Sequence, residues 1–218
     1  MTEQIVIAID GPAASGKSSV ARALAQRLRY LYVNTGAMYR AITWHVLDRG
    51  VLPQDSERIV ALLDRTVIEC GAAGGESTIV IDGLDPTPHL LSEPVNTHVS
   101  TVATIPEVRR LLVAQQRAYA SRANVVMEGR DIGSVVFPET PFKFYIDASA
   151  EVRAQRRERQ GLRDAIGSRD RQDSSRRASP LTIAEDAHVI DSSHLTVDGV
   201  VGEIIGRLKQ RGLKIDER

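Results

Sequence analysis

The chain has 218 residues, 26% of them charged and 42% hydrophobic, which predicts one compact enzyme-sized unit with a substantial core. Its 28 Lys and Arg balance 28 Asp and Glu, arguing against a general nucleic-acid or membrane coat, and aromatic residues at 4% leave few platforms for stacking bases. The single cysteine, Cys70, excludes an intrachain disulfide and a cysteine zinc cluster and fits a reducing cytoplasm.

Gln4 to Ile9 opens the chain as a continuous apolar run, the pattern of a strand buried on both faces of a parallel sheet. Asp10 ends its apolar core after five residues, far short of a signal-peptide core or a membrane span, so a soluble chain that keeps its N-terminus is expected. A helix over Ser18 to Arg29, a strand over Tyr30 to Val33 and a helix over Gly36 to Asp48 follow. Another helix spans Asp55 to Arg65, with Asp55 or Ser56 as its cap. Val67 to Cys70 and Ser77 to Ile81, separated by the glycine-rich loop 71–75, read as an antiparallel hairpin. Helices are expected at Pro88 to Thr104 and Pro106 to Arg122, strands at Asn124 to Met127 and Phe142 to Ile146. A helix from Ala150, a strand at Ala187 to Ile190 and a helix at Val197 to Gln210 complete the pattern. This alternation implies an α/β fold, an open, mostly parallel sheet with helices on both faces and ligands at the carboxyl ends of its strands.

Directly after the first strand stands Gly11-Pro-Ala-Ala-Ser-Gly-Lys-Ser18, a complete G-x-x-x-x-G-K-[ST] phosphate loop opening onto a helix. Its backbone N–H groups surround phosphate oxygens at the positive end of the helix dipole. Lys17 brings a charge to the outer phosphates, and the Ser18 hydroxyl is a ligand for Mg2+. The ATP-binding residues are therefore Gly11, Pro12, Ala13, Ala14, Ser15, Gly16, Lys17, Ser18 and Ser19. The Asn-Lys-x-Asp segment that reads guanine is missing, and the length favours a small phosphotransferase.

Of the 28 basic residues 24 are Arg, which fits either phosphate recognition by planar forks or a genome-wide codon bias. From Arg153 to Arg177 there are nine Arg, no Lys and four acids. Some of these belong to a solvated charged face. The segment 168–179 lacks the apolar periodicity of a packed helix and is expected to be mobile until phosphate orders it.

Four blocks, Ile7 to Ser18, Asn34-Thr-Gly-Ala-Met-Tyr-Arg40, Glu128-Gly-Arg-Asp-Ile-Gly-Ser-Val-Val-Phe-Pro138 and Asp147 to Arg157, together resemble the bacterial cytidylate kinases, P-loop phosphotransferases of the nucleoside monophosphate kinase family. The resemblance implies a five-stranded parallel core in a single kinase domain over 1–218, a small antiparallel monophosphate-binding insert at 66–86 and a short mobile lid at 158–178. It implies transfer of the γ-phosphoryl of ATP to CMP or dCMP with magnesium, by a cytoplasmic monomer that binds neither nucleic acid nor membrane. Arg40, Arg130 and Arg169 correspond to the clamp on the acceptor phosphate, and Ser100, Arg109 and Asp131 to the base-reading set. Thr35 and Tyr39 border the acceptor, while Asp173 and Arg176 fall where the sugar hydroxyls are held. Lys17, Arg130, Arg153, Arg157 and Arg169 are the candidates for stabilising the transferring group, and Glu128 for orienting magnesium-bound water.

Cytosine offers an amine donor to suit Asp131 and acceptors to suit Arg109 and Ser100. Plainer readings stand beside these roles. Arg109 alone is an ordinary solvated helix charge, Arg130-Asp131 a local ion pair, Tyr39 core packing, and Glu128 a cap on the next turn. The five His have no ligand spacing and need no catalytic role. A kinase for another acceptor, such as UMP, and a non-catalytic nucleotide switch are the rival readings. The segment between Arg157 and Arg169 is shorter than in familiar members, so the lid assignments rest on Ala178-Ser-Pro-Leu181.

Overall fold

The computed structural model describes residues 4–159 and 181–215. The expected lid lies outside them except for its first two residues, as do Arg169, Asp173 and Arg176.

Five strands form the parallel core: β1 (Val6–Asp10), β2 (Leu31–Asn34), β5 (Val125–Gly129), β6 (Phe142–Asp147) and β7 (His188–Asp191), in the order β2-β5-β1-β6-β7. Strands β3 (Ile68–Ala73) and β4 (Glu76–Ile81) pair antiparallel through six residue pairs and extend this sheet to seven. The expected five-stranded core is present, and β4 adds a sixth parallel strand by pairing with β2 at Tyr32–Glu76, so that β3 alone runs antiparallel. The reason is the outer edge of β2, whose Tyr32 N–H donates to the Gly75 carbonyl at 2.9 Å, while Asn34 N–H donates to Ser77 Oγ at 3.3 Å. An edge left bare would expose unpaired backbone groups, and the hairpin covers it. The hairpin loop is also shorter than expected. Gly74 (φ 59°) and Gly75 (φ 81°) make a two-residue turn with both central residues left-handed, the geometry whose twist matches paired strands.

Helices α1 (Lys17–Leu28) and α7 (Val197–Gln210) cover one face of the sheet. Helices α2 (Thr35–Asp48), α3 (Ser56–Leu63), α4 (Glu93–Val102) and α5 (Pro106–Ala120) lie on the other, and α6 (Ala150–Arg159) follows β6. Alternation along the central strands separates two cores. Ile7 and Ile9 of β1 and Val126 of β5 join α1 and α7, whereas Ala8, Val125 and Met127 join α2 to α5. The helix expected over 88–104 is divided into a 3-10 turn at Thr87–His89 and α4, because Pro94 lacks an N–H and belongs in a first helical turn. Ile132–Val136, with no predicted element, forms one π-helical turn after β5. No helix of the described residues is long and apolar enough to cross a membrane.

Candidate active site

A cleft of about 880 Å³ opens at the carboxyl ends of β1, β2 and β5. Its described lining holds seven arginines and Lys17 against two carboxylates, Glu128 and Asp131, so its natural occupant is strongly anionic. Lys17, Tyr39, Arg40, Ser100, Arg109, Arg130 and Asp131, which come from five separate segments, all face it.

The phosphate loop runs from the end of β1 into α1. Gly11 has φ 155°, and a Cβ there would stand 2.1 Å from the Ile146 carbonyl oxygen, so only glycine lets β6 approach this closely. Gly16, at φ 89°, leads into α1 without a side-chain cap, which leaves the first-turn N–H groups to the loop's ligand. Lys17 is buried, and its Nζ donates to the Pro12 carbonyl at 2.9 Å. Arg153 and Arg156 of α6 hold the loop from outside. Arg153 donates to Ala13 O at 3.4 Å and Ala148 O at 3.1 Å, and it does not line the cleft. Arg156 does line it, donating to Ala14 O at 3.5 Å and to Ser192 Oγ and O at 3.0 and 2.8 Å. Arg157 is buried and also faces the cleft.

On the facing side, Arg109 of α5 is 6% exposed and forms an ion pair with buried Asp131. Its guanidinium carbon lies 5.9 Å from the centre of the Tyr39 ring, so it is held rather than solvated. Tyr39 both packs on the core and borders the cleft. Asp131 thus pairs across to α5, while Arg130 donates to Gly11 O at 3.0 Å. Arg40 Nε reaches Asn96 Oδ1 at 3.5 Å, and Ser100 of α4 is buried beside the cleft. These acceptor-side residues come from α2, α4, α5 and the end of β5, whereas none of the hairpin's residues lines this cleft.

Glu128 lies within β5 and not after it. It is buried, its Oε1 accepts from Tyr32 Oη at 2.9 Å, and its carbonyl accepts from Thr35 Oγ1 at 2.7 Å. Burial and the adjacent Glu128 carboxylate push the Tyr32 hydroxyl far above its ordinary range, which keeps it a donor. The N–H groups at the start of the next turn, Ile132 and Gly133, go to the Asp10 carboxylate, both at 2.8 Å, so Asp10 and not Glu128 supplies their acceptor. Burial raises Asp10 from 3.8 to about 7, against the pull of those two N–H groups and of Lys17.

Among known proteins, the cytidylate kinase family model matches residues 7–210. Curated relatives named cytidylate kinase include one from Desulforamulus reducens, 46% identical over 94% of this chain and 97% of its own, and one from Corynebacterium efficiens, 44% identical over 92% and 93%. The chain belongs to the cytidylate kinase family. A solved shikimate kinase from Acinetobacter baumannii, described in complex with shikimate, shares the fold at a TM-score of 0.50 and 15% identity, covering 97% of this chain and 96% of its own.

Several residues in and behind this cleft escape a reading of the sequence. Tyr32, Asn96, Arg156 and Ser192 act through partners far away in the chain, and only their polarity marks them. Asp10 had a signal, a carboxylate closing an otherwise apolar strand immediately before a phosphate loop.

Proposed function

We propose that the chain transfers the γ-phosphoryl group of ATP to CMP or dCMP, giving ADP and the corresponding diphosphate. The observation that carries this reading is the placement of Arg109, Asp131, Arg40 and Arg130 opposite the phosphate loop in one cleft. The loop from Gly11 to Ser19 takes the donor, and Lys17, whose Nζ donates to the Pro12 carbonyl, turns to meet the outer phosphates. Arg40 and Arg130 hold the acceptor phosphate. Asp131 accepts from the cytosine amine while Arg109 and Ser100 donate to ring acceptors. Uracil would instead turn a carbonyl toward the Asp131 carboxylate and set two acceptors against each other.

The acceptor needs no general base, because a phosphate monoester with a second pKa of about 6 is already largely anionic at neutral pH. The protein's work is to align two anions and to neutralise charge spreading over the transferring group. Lys17, Arg130 and Arg157 face the cleft for that task, and Arg153 serves it by bracing Ala13. Arg169, Asp173 and Arg176 complete the acceptor and lid set in this proposal. The Ser18 hydroxyl and the Glu128 carboxylate are hard oxygen donors facing one cleft, a set that fits a magnesium ion retaining most of its water. When bound, that ion supplies charge neutralisation at the β- and γ-phosphates. The enzyme acts on free nucleotides as a cytoplasmic monomer.

Initial rates of ADP release with CMP, dCMP, UMP and AMP test the reading. CMP and dCMP are expected to be the fastest acceptors. Equal turnover of UMP overturns the base assignment, and tight ATP binding with no CDP formed overturns the kinase assignment.

A further inference from the structure

The junction between the two halves of the cleft rests on one side chain. Asp10 ends β1, the central strand of the parallel core, and pairs in register with Gly129 of β5 and Tyr145 of β6. It is almost completely enclosed, and a buried carboxylate is costly unless its oxygens are satisfied. Here each oxygen takes one backbone N–H, Oδ1 from Ile132 and Oδ2 from Gly133. From the preceding side Arg130 Nη1 donates to the carbonyl of Gly11, the first glycine of the phosphate loop. Residues 130, 132 and 133 are thereby fixed to Asp10 and Gly11, and Asp131 is the residue left between them to face the cleft and meet Arg109. Lys143 side-chain carbons lie 3.1–3.2 Å from where a Cβ of Gly133 would stand, which closes the turn from behind.

We propose that Asp10 is a positioning residue for phosphoryl transfer: its carboxylate fixes the Arg130-Asp131 segment to the phosphate loop and so sets where the acceptor nucleotide sits relative to the donor. The proposal rests on the reading of the cleft as a CMP kinase site. A two-oxygen acceptor is needed because both N–H groups point at the same side chain. In Asp10→Asn one oxygen still accepts, but the amide turns its own N–H against the second donor, and the turn must shift. Since a displacement of about 1 Å at a reacting group costs about 10²-fold in rate, the effect should be large and confined to the acceptor.

The test is steady-state kinetics of the full chain and Asp10→Asn at pH 8 with both substrates varied, together with binding of a non-hydrolysable ATP analogue. The expected result is a fall of about 10²-fold in kcat/KM for CMP, shared between a higher KM for CMP and a lower kcat, with affinity for the ATP analogue changed by less than about threefold. A merely structural role would reduce the amount of active enzyme and leave KM for CMP unmoved, and that pattern overturns the proposal. Should the variant fail to fold, amide hydrogen exchange on the parent decides. The Ile132 and Gly133 amides should be protected without nucleotide as well as the interior of β5, and exchange at the rate of an open turn overturns the proposal. A parent that forms no CDP defeats the functional reading, whereas an active parent with an unchanged Asp10→Asn defeats this inference alone.

Discussion

Asp131 and Arg109 form an ion pair buried at the edge of an otherwise cationic cleft, so each governs the cost of losing the other. Removing one member of a buried pair strands the second, at about 3–5 kcal/mol where solvent is excluded. The pair borders an open cleft, which places Asp131→Ala at the lower end, about 3 kcal/mol in urea denaturation. The same variant is expected to raise KM for CMP at least about tenfold, since the carboxylate proposed to take the cytosine amine is gone, while KM for ATP stays within about twofold. A parallel loss in both constants would mean that Asp131 supports the phosphate loop and not the base. Gly11→Ala fails differently. Its Cβ would collide with a main-chain oxygen, which no rotamer change relieves, and the expected result is loss of ATP binding with a marked fall in unfolding midpoint.

At the scale of elements, the end of β1 predicts a pH dependence of opposite sign to the usual one for an acid. Asp10 ionises near 3.8 in the unfolded chain and about 7 in the folded one. Between these values the native state holds a proton that the unfolded state has lost, so this group's contribution falls as pH rises from 4 to 7 and stays low above. Its size is on the order of 3–5 kcal/mol. Asp186 and Asp191, held low by hydrogen bonds from Lys143 and Ser193, act in the reverse direction at lower pH. Subtracting the stability profile of Asp10→Asn isolates the Asp10 part, and the parent should gain on the variant as pH falls from 8 to 5. A constant difference over that range refutes the assignment. The elements that carry this effect were unequally legible. The helix at Val197–Gln210 and the strand β1 follow from spacing alone, because their apolar residues report a single buried face or two. The seating of β3 and β4 on the edge of β2, the π-helical turn at Ile132–Val136 and the partners of Asp10 depend on residues as far as 123 positions apart, which no local pattern encodes. The candidate site divides in the same manner. The phosphate loop is contiguous and could be read directly, whereas choosing Arg156 over Arg153 as a cleft residue required knowing which way α6 turns its face.

Across the whole molecule, the sheet separates two hydrophobic cores and leaves the cleft at the carboxyl ends of the strands, where positive charge is gathered although the chain as a whole is neutral. Seven arginines and Lys17 gathered around one cleft favour polyanions, so the phosphate groups, more than the base or sugar, should stabilise the fold. A ligand at about 100 times its Kd adds about 2.7 kcal/mol, which for a chain of this length raises Tm by about 5–10 °C. CMP and ATP are each expected to reach that range, and cytidine at the same concentration to give a small fraction of it. Salt must then erode the difference. Raising KCl from about 0.1 to about 1 M shortens the Debye length from about 10 to about 3 Å, and the CMP-induced rise should shrink while any shift from cytidine, which carries no phosphate, stays nearly constant. Thermal melts with the two ligands at both salt concentrations make the comparison. Equal stabilisation by cytidine and CMP, or a CMP shift indifferent to salt, would mean that the arginines serve the fold itself and that the grip on the acceptor comes from its base.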